Sequence, residues 1–224
     1  MKKITLLLLV CCVSTVFSQQ IFVEGGKISS SFEFKNSQGI QLENLQSTTS
    51  TYLGIGYNHR LFFDDLRLAV GVAYNSYGAI GSDAAVSNYF EWDVDYVGLN
   101  VGLEYDAFQI SDFSFYVKGS VGYEIIVQGT QTINNQVFNI TGVEEFDDSP
   151  IFFRAGAGFS YPVLPTVEAY VQYLYGKSTA LKDDTNNSNE ELNIRSHMIG
   201  IGLRINIQSK DQEEEQETNT TESE

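Results

Sequence analysis

Ser196 and His197 are the residues whose types most directly suggest catalysis, because a histidine beside a serine can activate the hydroxyl for attack on an ester. The chain has one further histidine, His59. Adjacent residues of an extended strand point to opposite faces, so Ser196 and His197 cannot reach each other if they lie on a strand. We therefore expect no catalytic residues and no enzyme activity, with His197 as the first residue to mutate in a test.

Two acidic segments, residues 144–148 and 183–191, offer carboxylate oxygens that could bind a cation such as Ca²⁺. Neither fits an EF-hand loop: counting from Asp184, Asn189 stands where the loop requires glycine and Arg195 where it requires glutamate. Both cysteines lie within the first 18 residues, and the chain has two histidines, so a zinc-type site is nearly excluded. The sequence predicts solvated acidic loops, no metal and no cofactor.

The charge balance and the two ends of the chain restrict its partners and its location. The 224 residues carry a net charge of -16, which disfavours binding to nucleic acid. Residues 4–13 form the longest apolar run, too short for a membrane-spanning helix, and Lys2 and Lys3 precede it. Residues 1–18 are therefore predicted to be a cleaved signal peptide. Residues 209–224 hold seven acids, one lysine and no apolar residue, and are predicted to be a disordered acidic tail.

The elements between these ends follow a period of two. Apolar residues recur at alternate positions, which is typical of half-buried strands and not of helices. The less regular segment 21–35 precedes seven regular ones: 53–57, 66–74, 97–105, 113–123, 151–161, 167–175 and 199–207. The sequence therefore predicts an all-β protein with eight antiparallel up-and-down strands.

The other face of these strands carries small residues and isolated charges. Positive and negative groups are nearly balanced, which is what a crowded barrel interior requires if each charge meets an opposite one. The predicted lumen charge network is Arg60, Arg67, Glu104, Lys118, Glu124, Arg154, Glu168 and Arg204, with Glu24 as a further member. The apolar face would then contact lipid, where a closed barrel satisfies every backbone group.

Aromatic residues end the apolar stripes, as in the girdles of transmembrane barrels. Tyr57, Tyr105, Phe113 and Tyr161 are expected at the inner edge, and Tyr74, Tyr123 and Tyr175 at the outer edge. Short connections at 62–65, 106–112 and 162–165 alternate with long ones at 36–48, 78–91, 128–149 and 177–192. This alternation predicts short periplasmic turns and long external loops.

Together with the signal peptide, the eight glycine-alternating strands and the closing segment 198–206 resemble the small outer-membrane β-barrel proteins of Gram-negative bacteria. These include OmpX-like and OmpA-transmembrane-domain-like barrels and the "porin family". The resemblance implies an outer-membrane barrel over residues 19–208, monomeric, inserted by the barrel assembly machinery and in contact with outer-membrane lipid and lipopolysaccharide. The strand ends at Ile207 and Gln208 without the terminal aromatic residue that such barrels often carry, which puts the assembly signal in doubt.

An eight-stranded barrel is narrow enough for side chains to fill its interior, so we expect no general porin. Tyr116, Tyr170 and Gln172 are predicted to help fill the lumen. The expected role is structural or surface-interacting, in adhesion or envelope integrity, through the acidic external loops. Two alternatives are open: a lipid-modifying outer-membrane enzyme of the lipid A deacylase or acyltransferase type, and a soluble lipocalin-like periplasmic carrier. The direction in which the apolar face points separates the carrier from the barrel.

Overall fold

The computed structural model describes residues 19–35, 45–61, 63, 65–83, 88–141, 149–179, 181 and 191–207. The predicted signal peptide at 1–18, the tail at 209–224, the acidic segment 144–148 and nearly all of 183–191 lie outside these residues. No helix within the described part of the chain is long and apolar enough to cross a membrane.

Eight long antiparallel strands form a closed ring, as the alternation predicted. The strands are β1 (Gln19–Lys35), β2 (Gln46–Arg60), β3 (Leu66–Asp83), β4 (Asn88–Ile110), β5 (Phe113–Ile133), β6 (Gln136–Asn139), β7 (Ile151–Leu164), β8 (Val167–Ser178) and β9 (Glu191–Ile207). Each long strand pairs with the next along the chain, and β9 pairs with β1 to close the ring. The short β6 pairs with the far end of β5 and stands outside the ring. The all-β up-and-down fold is therefore confirmed.

The apolar stripes point outward. Leu53, Ile55 and Ile201 are 67%, 57% and 69% exposed, while the residues between them are small and face the interior. A soluble lipocalin-like carrier has the opposite arrangement, with its apolar side chains inside. The carrier hypothesis is therefore excluded, and the outward stripe is the surface that requires lipid.

Two of the connections predicted to be long loops contain long stretches of strand. β3 and β4 remain paired from Leu66 and Tyr105 up to Asp83 and Asn88, so most of the predicted loop 78–91 is a hairpin. β5 likewise continues to Ile133 and turns into β6 inside the predicted loop 128–149. The barrel thus rises above its outer aromatic residues as a paired sheet, because these segments bury side chains on its inner face.

The interior changes character along the barrel axis. We call the end with chain residues 61–66, 110–113 and 164–167 the turn end and the opposite end the loop end. Near the turn end the inward side chains are polar and charged. Toward the loop end they form an apolar cluster, which the sequence did not lead us to expect. Its buried members include Ile28, Phe32, Tyr77, Val94, Tyr96, Phe152, Leu174, Leu192, Ile194 and Met198.

Candidate functional site

A buried ionic cluster occupies the lumen near the turn end, with the carboxylate of Glu104 on β4 at its centre. Glu104 accepts the Nη2 group of Arg204 at 2.9 Å and the Nζ group of Lys118 at 3.0 Å. The Nε atom of Arg67 lies 3.6 Å from the same carboxylate. These cations come from β9, β5 and β3, so one carboxylate ties together strands from several parts of the ring.

Two further carboxylates complete this turn-end cluster. Arg67 donates to Asp106 at 2.6 Å, and Arg204 donates to Glu168 at 3.1 Å. Arg67, Lys118 and Arg204 then face Glu104, Asp106 and Glu168, so three positive charges balance three negative ones. Balance of this kind is what permits charges to be buried away from water.

Asp106 belongs to this cluster although its position in the sequence predicted a turn. The pairing of β4 with β5 shifts register between Asp106 and Phe108, so Ala107 is an inserted bulge residue. Asp106 lies two residues after Glu104 and therefore shares its inward face. The bulge turns the next residue, Phe108, outward, where it is 51% exposed, and β4 ends at Ile110. The spacing of two residues between Glu104 and Asp106 was a signal in the sequence that Asp106 faces inward. Residues 106–112, however, lack the apolar alternation that marks a strand, so the sequence predicted a turn there.

The guanidinium of Arg204 is also held between two aromatic rings. Its Cζ atom lies 4.6 Å from the ring centroid of Tyr116 and 4.3 Å from that of Tyr170. Both tyrosines are buried, and they were predicted to fill the lumen. Rings at this distance favour a cation over their faces, so Arg204 is fixed by two ion pairs and two aromatic contacts.

A second ionic cluster lies inside the barrel, closer to the loop end than the turn-end cluster. It consists of the ion pair between Arg154 of β7 and Glu124 of β5 and the polar groups around that pair. Tyr77 donates its hydroxyl to Glu124 at 3.0 Å and accepts Nη2 of Arg154 at 2.7 Å. Asn75 donates to Glu124 at 2.8 Å, and Arg154 donates to Asn100 at 3.0 Å. Side chains from β3, β4, β5 and β7 therefore meet at one buried point.

Glu24 lies between the two clusters, and Arg60 lies outside both. The Glu24 carboxylate accepts the Tyr170 hydroxyl at 2.6 Å and the Gln172 amide at 2.8 Å. Arg60 is the last residue of β2 and is exposed to solvent at the turn end. The structure thus brings seven of the eight residues predicted for the lumen network into two inward-facing clusters, and it places Arg60 apart from them.

Part of the space inside the barrel is a small cavity. A cavity of about 50 Å³ lies between the two clusters. Its lining includes Phe22, Glu24, Tyr52, Lys118 and Arg154. A water needs roughly 10 to 15 Å³ of such space, so this volume holds about three to five waters. Buried side chains, among them Tyr52, Tyr116 and Arg204, occupy the interior around this cavity.

The residues predicted for the aromatic girdle all lie on the outward face. Six are exposed, namely Tyr74, Tyr105, Phe113, Tyr123, Tyr161 and Tyr175, and Tyr57 is half-buried. At the turn end, further aromatic pairs add to them: the ring centroids of Phe108 and Phe115 are 4.8 Å apart, and those of Phe115 and Phe159 are 5.1 Å apart. Phe115 and Phe159 belong to the predicted apolar stripes but were not assigned to the girdle, and Phe108 fell in a predicted turn.

The residues considered for catalysis do not form a catalytic pair. Ser196 is fully buried in the lumen, while His197 is exposed on the outward face, as expected for neighbours on a strand. His197 Nδ1 lies 2.7 Å from the hydroxyl of Tyr173. Among the described residues, no group of three histidine, cysteine, aspartate or glutamate side chains is arranged to hold a metal ion.

A closed ring of strands with an apolar outward face and buried ionic clusters inside it defines an integral β-barrel of the bacterial outer membrane. The chain belongs to the family described as "Outer membrane protein beta-barrel domain", which matches residues 4–219. This membership also places the protein in the bacterial outer membrane.

Several solved structures have a similar fold. The outer membrane protein OprG from Pseudomonas aeruginosa has 14% identity and a TM-score of 0.50, over 85% of this chain and 97% of that one. Neisserial surface protein A has 18% identity and a TM-score of 0.47, over 84% and 97%. The outer membrane protease OmpT from Escherichia coli has 8% identity and a TM-score of 0.47, over 87% and 99%. No curated protein matches the sequence. At these identities the likeness concerns the fold alone.

Proposed function

We propose that the protein is a closed outer-membrane barrel with a structural and surface-interaction role, and not a general diffusion porin. The observation that carries this proposal is the packed lumen, in which two buried ionic clusters and the rings of Tyr116 and Tyr170 lie around a cavity of about 50 Å³. Open porins use about 16 or more strands to enclose a water-filled channel. In such a barrel the buried clusters hold the strands together, and the loop end is the part that faces the outside of the cell.

Reconstitution into planar lipid bilayers tests the absence of porin activity. We expect no stepwise increase in conductance when the folded protein is added, because buried ion pairs and tyrosine rings occupy the lumen. A porin of 16 strands, added under the same salt and voltage, provides the positive control. Regular conductance steps of porin size from the wild-type protein would contradict the proposal.

The part of the barrel that projects at the loop end supports a role in surface interaction. Glu91, Asp93 and Asp95 follow one another on the outward face of β4, above the outer aromatic residue Tyr74. Burial, together with the negative charges of Asp95 and Glu91, raises the pKa of the Asp93 carboxyl. Val137 on β6 is 67% exposed. This surface therefore combines clustered negative charge with apolar area, and it suits a partner that is cationic and partly apolar.

Binding of cells to cationic beads tests the acidic surface. Cells that display the wild-type protein should bind positively charged beads better than cells that display the double variant Glu91→Gln and Asp93→Asn. The difference should shrink as salt is raised above about 0.1 M, where the screening length falls below about 10 Å. Asp65→Asn with Asp112→Asn is the matched control, because these exposed acids lie at the turn end. Equal binding by all three proteins would contradict the assignment.

The alternative of a lipid-modifying enzyme finds less support in the geometry. His197 is accessible from lipid, but its hydrogen-bond partner is Tyr173, and Ser196 points into the lumen. A nucleophile and its base must lie within hydrogen-bond reach of each other. We therefore retain the non-enzymatic role as the proposal.

A further inference from the structure

A groove of about 590 Å³ opens on the outward surface of the barrel, across β3, β4, β5, β7 and β8. Its floor follows a single row of cross-strand partners. The row runs through Leu68, Leu103, Gly119, Ala155 and Tyr175, each paired with the next. Val101, Val121 and Phe153 stand along one side. The groove is therefore continuous over five strands and almost wholly apolar.

The groove exists because two small residues meet at its centre. Gly119 pairs with Ala155, while larger side chains occupy the neighbouring outward positions. A Cβ atom placed on Gly119 would meet no atom within 4 Å, so the space in front of it is open. The sequence shows a break in the outward stripe of β5 at this point, where Val117 and Val121 flank the glycine.

The groove has about the length of a lipid acyl chain. Four steps between neighbouring strands, at about 4.8 Å each, span about 19 Å. Barrel strands tilt by about 35 to 45°, so a row of cross-strand partners runs obliquely to the membrane. This row begins at Leu68, near the turn end of β3, and reaches Tyr175, near the loop end of β8.

A pair of cations stands where the groove meets the loop end. Lys177 lines the groove and pairs across the strands with Arg195 of β9. Glu33 of β1 bridges the two, at 3.3 Å from Lys177 Nζ and 2.5 Å from Arg195 Nη2. Both cations remain about half exposed, with side-chain exposures of 47% and 48%. The three groups together carry one net positive charge, on a chain whose overall charge is -16.

We propose that this groove and the Lys177 and Arg195 pair form a binding site for a phosphorylated lipid of the outer leaflet. One acyl chain lies along the row of Gly119 and Ala155, and the phosphate contacts the two cations. Charge complementarity favours an anionic headgroup, and the apolar floor favours a lipid over free phosphate. The site rests on the barrel surface and does not depend on the acidic surface of β4.

Native mass spectrometry of protein released from mixed micelles tests the site. With equal amounts of phosphatidylglycerol and phosphatidylcholine as probes, the wild-type protein should retain phosphatidylglycerol preferentially. In the double variant Lys177→Gln and Arg195→Gln this preference should fall by about thirtyfold, since each of the two cations near a membrane surface contributes about 1 kcal/mol. Glu33→Gln should increase the preference, because it removes the competing carboxylate. Gly119→Leu should lower retention of both lipids by filling the groove.

The matched control is Lys27→Gln with Arg60→Gln, which removes the same charge from exposed positions outside the groove. It should leave the preference unchanged. A wild-type protein without preference, or a control that loses as much as the test variant, would overturn the proposal. A dominant lipid-free dimer that Gly119→Leu disrupts would instead assign the groove to a second copy of the chain and overturn the lipid site. Thermal unfolding of each variant verifies that the barrel has folded.

Discussion

Replacing Arg204 with leucine is expected to lower the free energy of unfolding by about 3 kcal/mol, the cost typical of breaking a buried ion pair. The Arg204 side chain is 1% exposed and bonds both Glu104 and Glu168. Without it, the turn-end cluster keeps three negative charges and only two positive ones. The variant also loses the contacts of the guanidinium with the rings of Tyr116 and Tyr170.

Urea unfolding in lipid vesicles measures this effect, with the fluorescence of Trp92, the sole tryptophan, as the probe. Arg60→Leu is the matched control: Arg60 is exposed at the turn end, so its replacement should change stability by less than about 0.5 kcal/mol. Adding Glu104→Gln to Arg204→Leu restores equal numbers of charges and should recover part of the loss. An Arg204→Leu variant with the unfolding midpoint of the wild type would show that the cluster contributes nothing to stability.

The membrane-facing part of the fold could be predicted from alternation alone, because lipid and a crowded lumen impose opposite requirements on the two faces of each strand. Along β4, outward Leu99, Val101 and Leu103 alternate with small or charged inward residues. Alternate residues of a strand share a face, and this alternation, which we call parity, also assigned Glu104 to the interior. Parity does not depend on where the strand begins or ends. Inward charges were thus predicted before any pairing was known.

The strand ends could not be predicted in this way, because the pattern inverts where the barrel leaves the membrane. Above the outer aromatic residues, β4 places Asp93 and Asp95 outward and Val94 and Tyr96 inward. The outward surface there meets water, so polar residues face out and apolar residues form the interior cluster. The outward apolar stripe of β4 runs from Leu103 back to Val97 and stops there. The strand itself begins earlier, at Asn88, so the stripe underestimates its length.

Bulges and strand termini account for the remaining differences in the site. Asp106 lies inside the barrel because β4 continues past it to Ile110. The bulge at Ala107 then turns Phe108 outward, and a bulge inserts one residue without any reliable mark in the sequence. Arg60 has the parity of an inward residue, but it is the last residue of β2 and extends past the packed interior. Parity assigns a face to a residue, whereas only the pairing of strands decides how deep that residue lies.

Replacing Gly26 with valine is expected to cost about 2 to 3 kcal/mol of stability, the upper range for overpacking a close-packed interior. Gly26 on β1 pairs with Gly200 on β9, in the seam that closes the barrel. A Cβ atom on Gly26 would meet the carbonyl oxygen of Ile199 and would lie 2.7 Å from the Cα atom of Gly200. Both are backbone atoms, so they can retreat only if β1 and β9 separate.

The same urea titration measures the cost, and Gly119→Val is the matched control. Both variants replace a strand glycine with the same β-branched residue, but a Cβ on Gly119 meets nothing within 4 Å. Gly119→Val should therefore unfold at the wild-type midpoint or above it, since valine is favoured in strands. If both variants lost stability equally, the loss would reflect the removal of glycine in general. Gly26 and Gly119 differ in what their added side chains would contact. A loss of stability confined to Gly26→Val would therefore show that glycine is required at position 26 because β1 and β9 approach each other closely there.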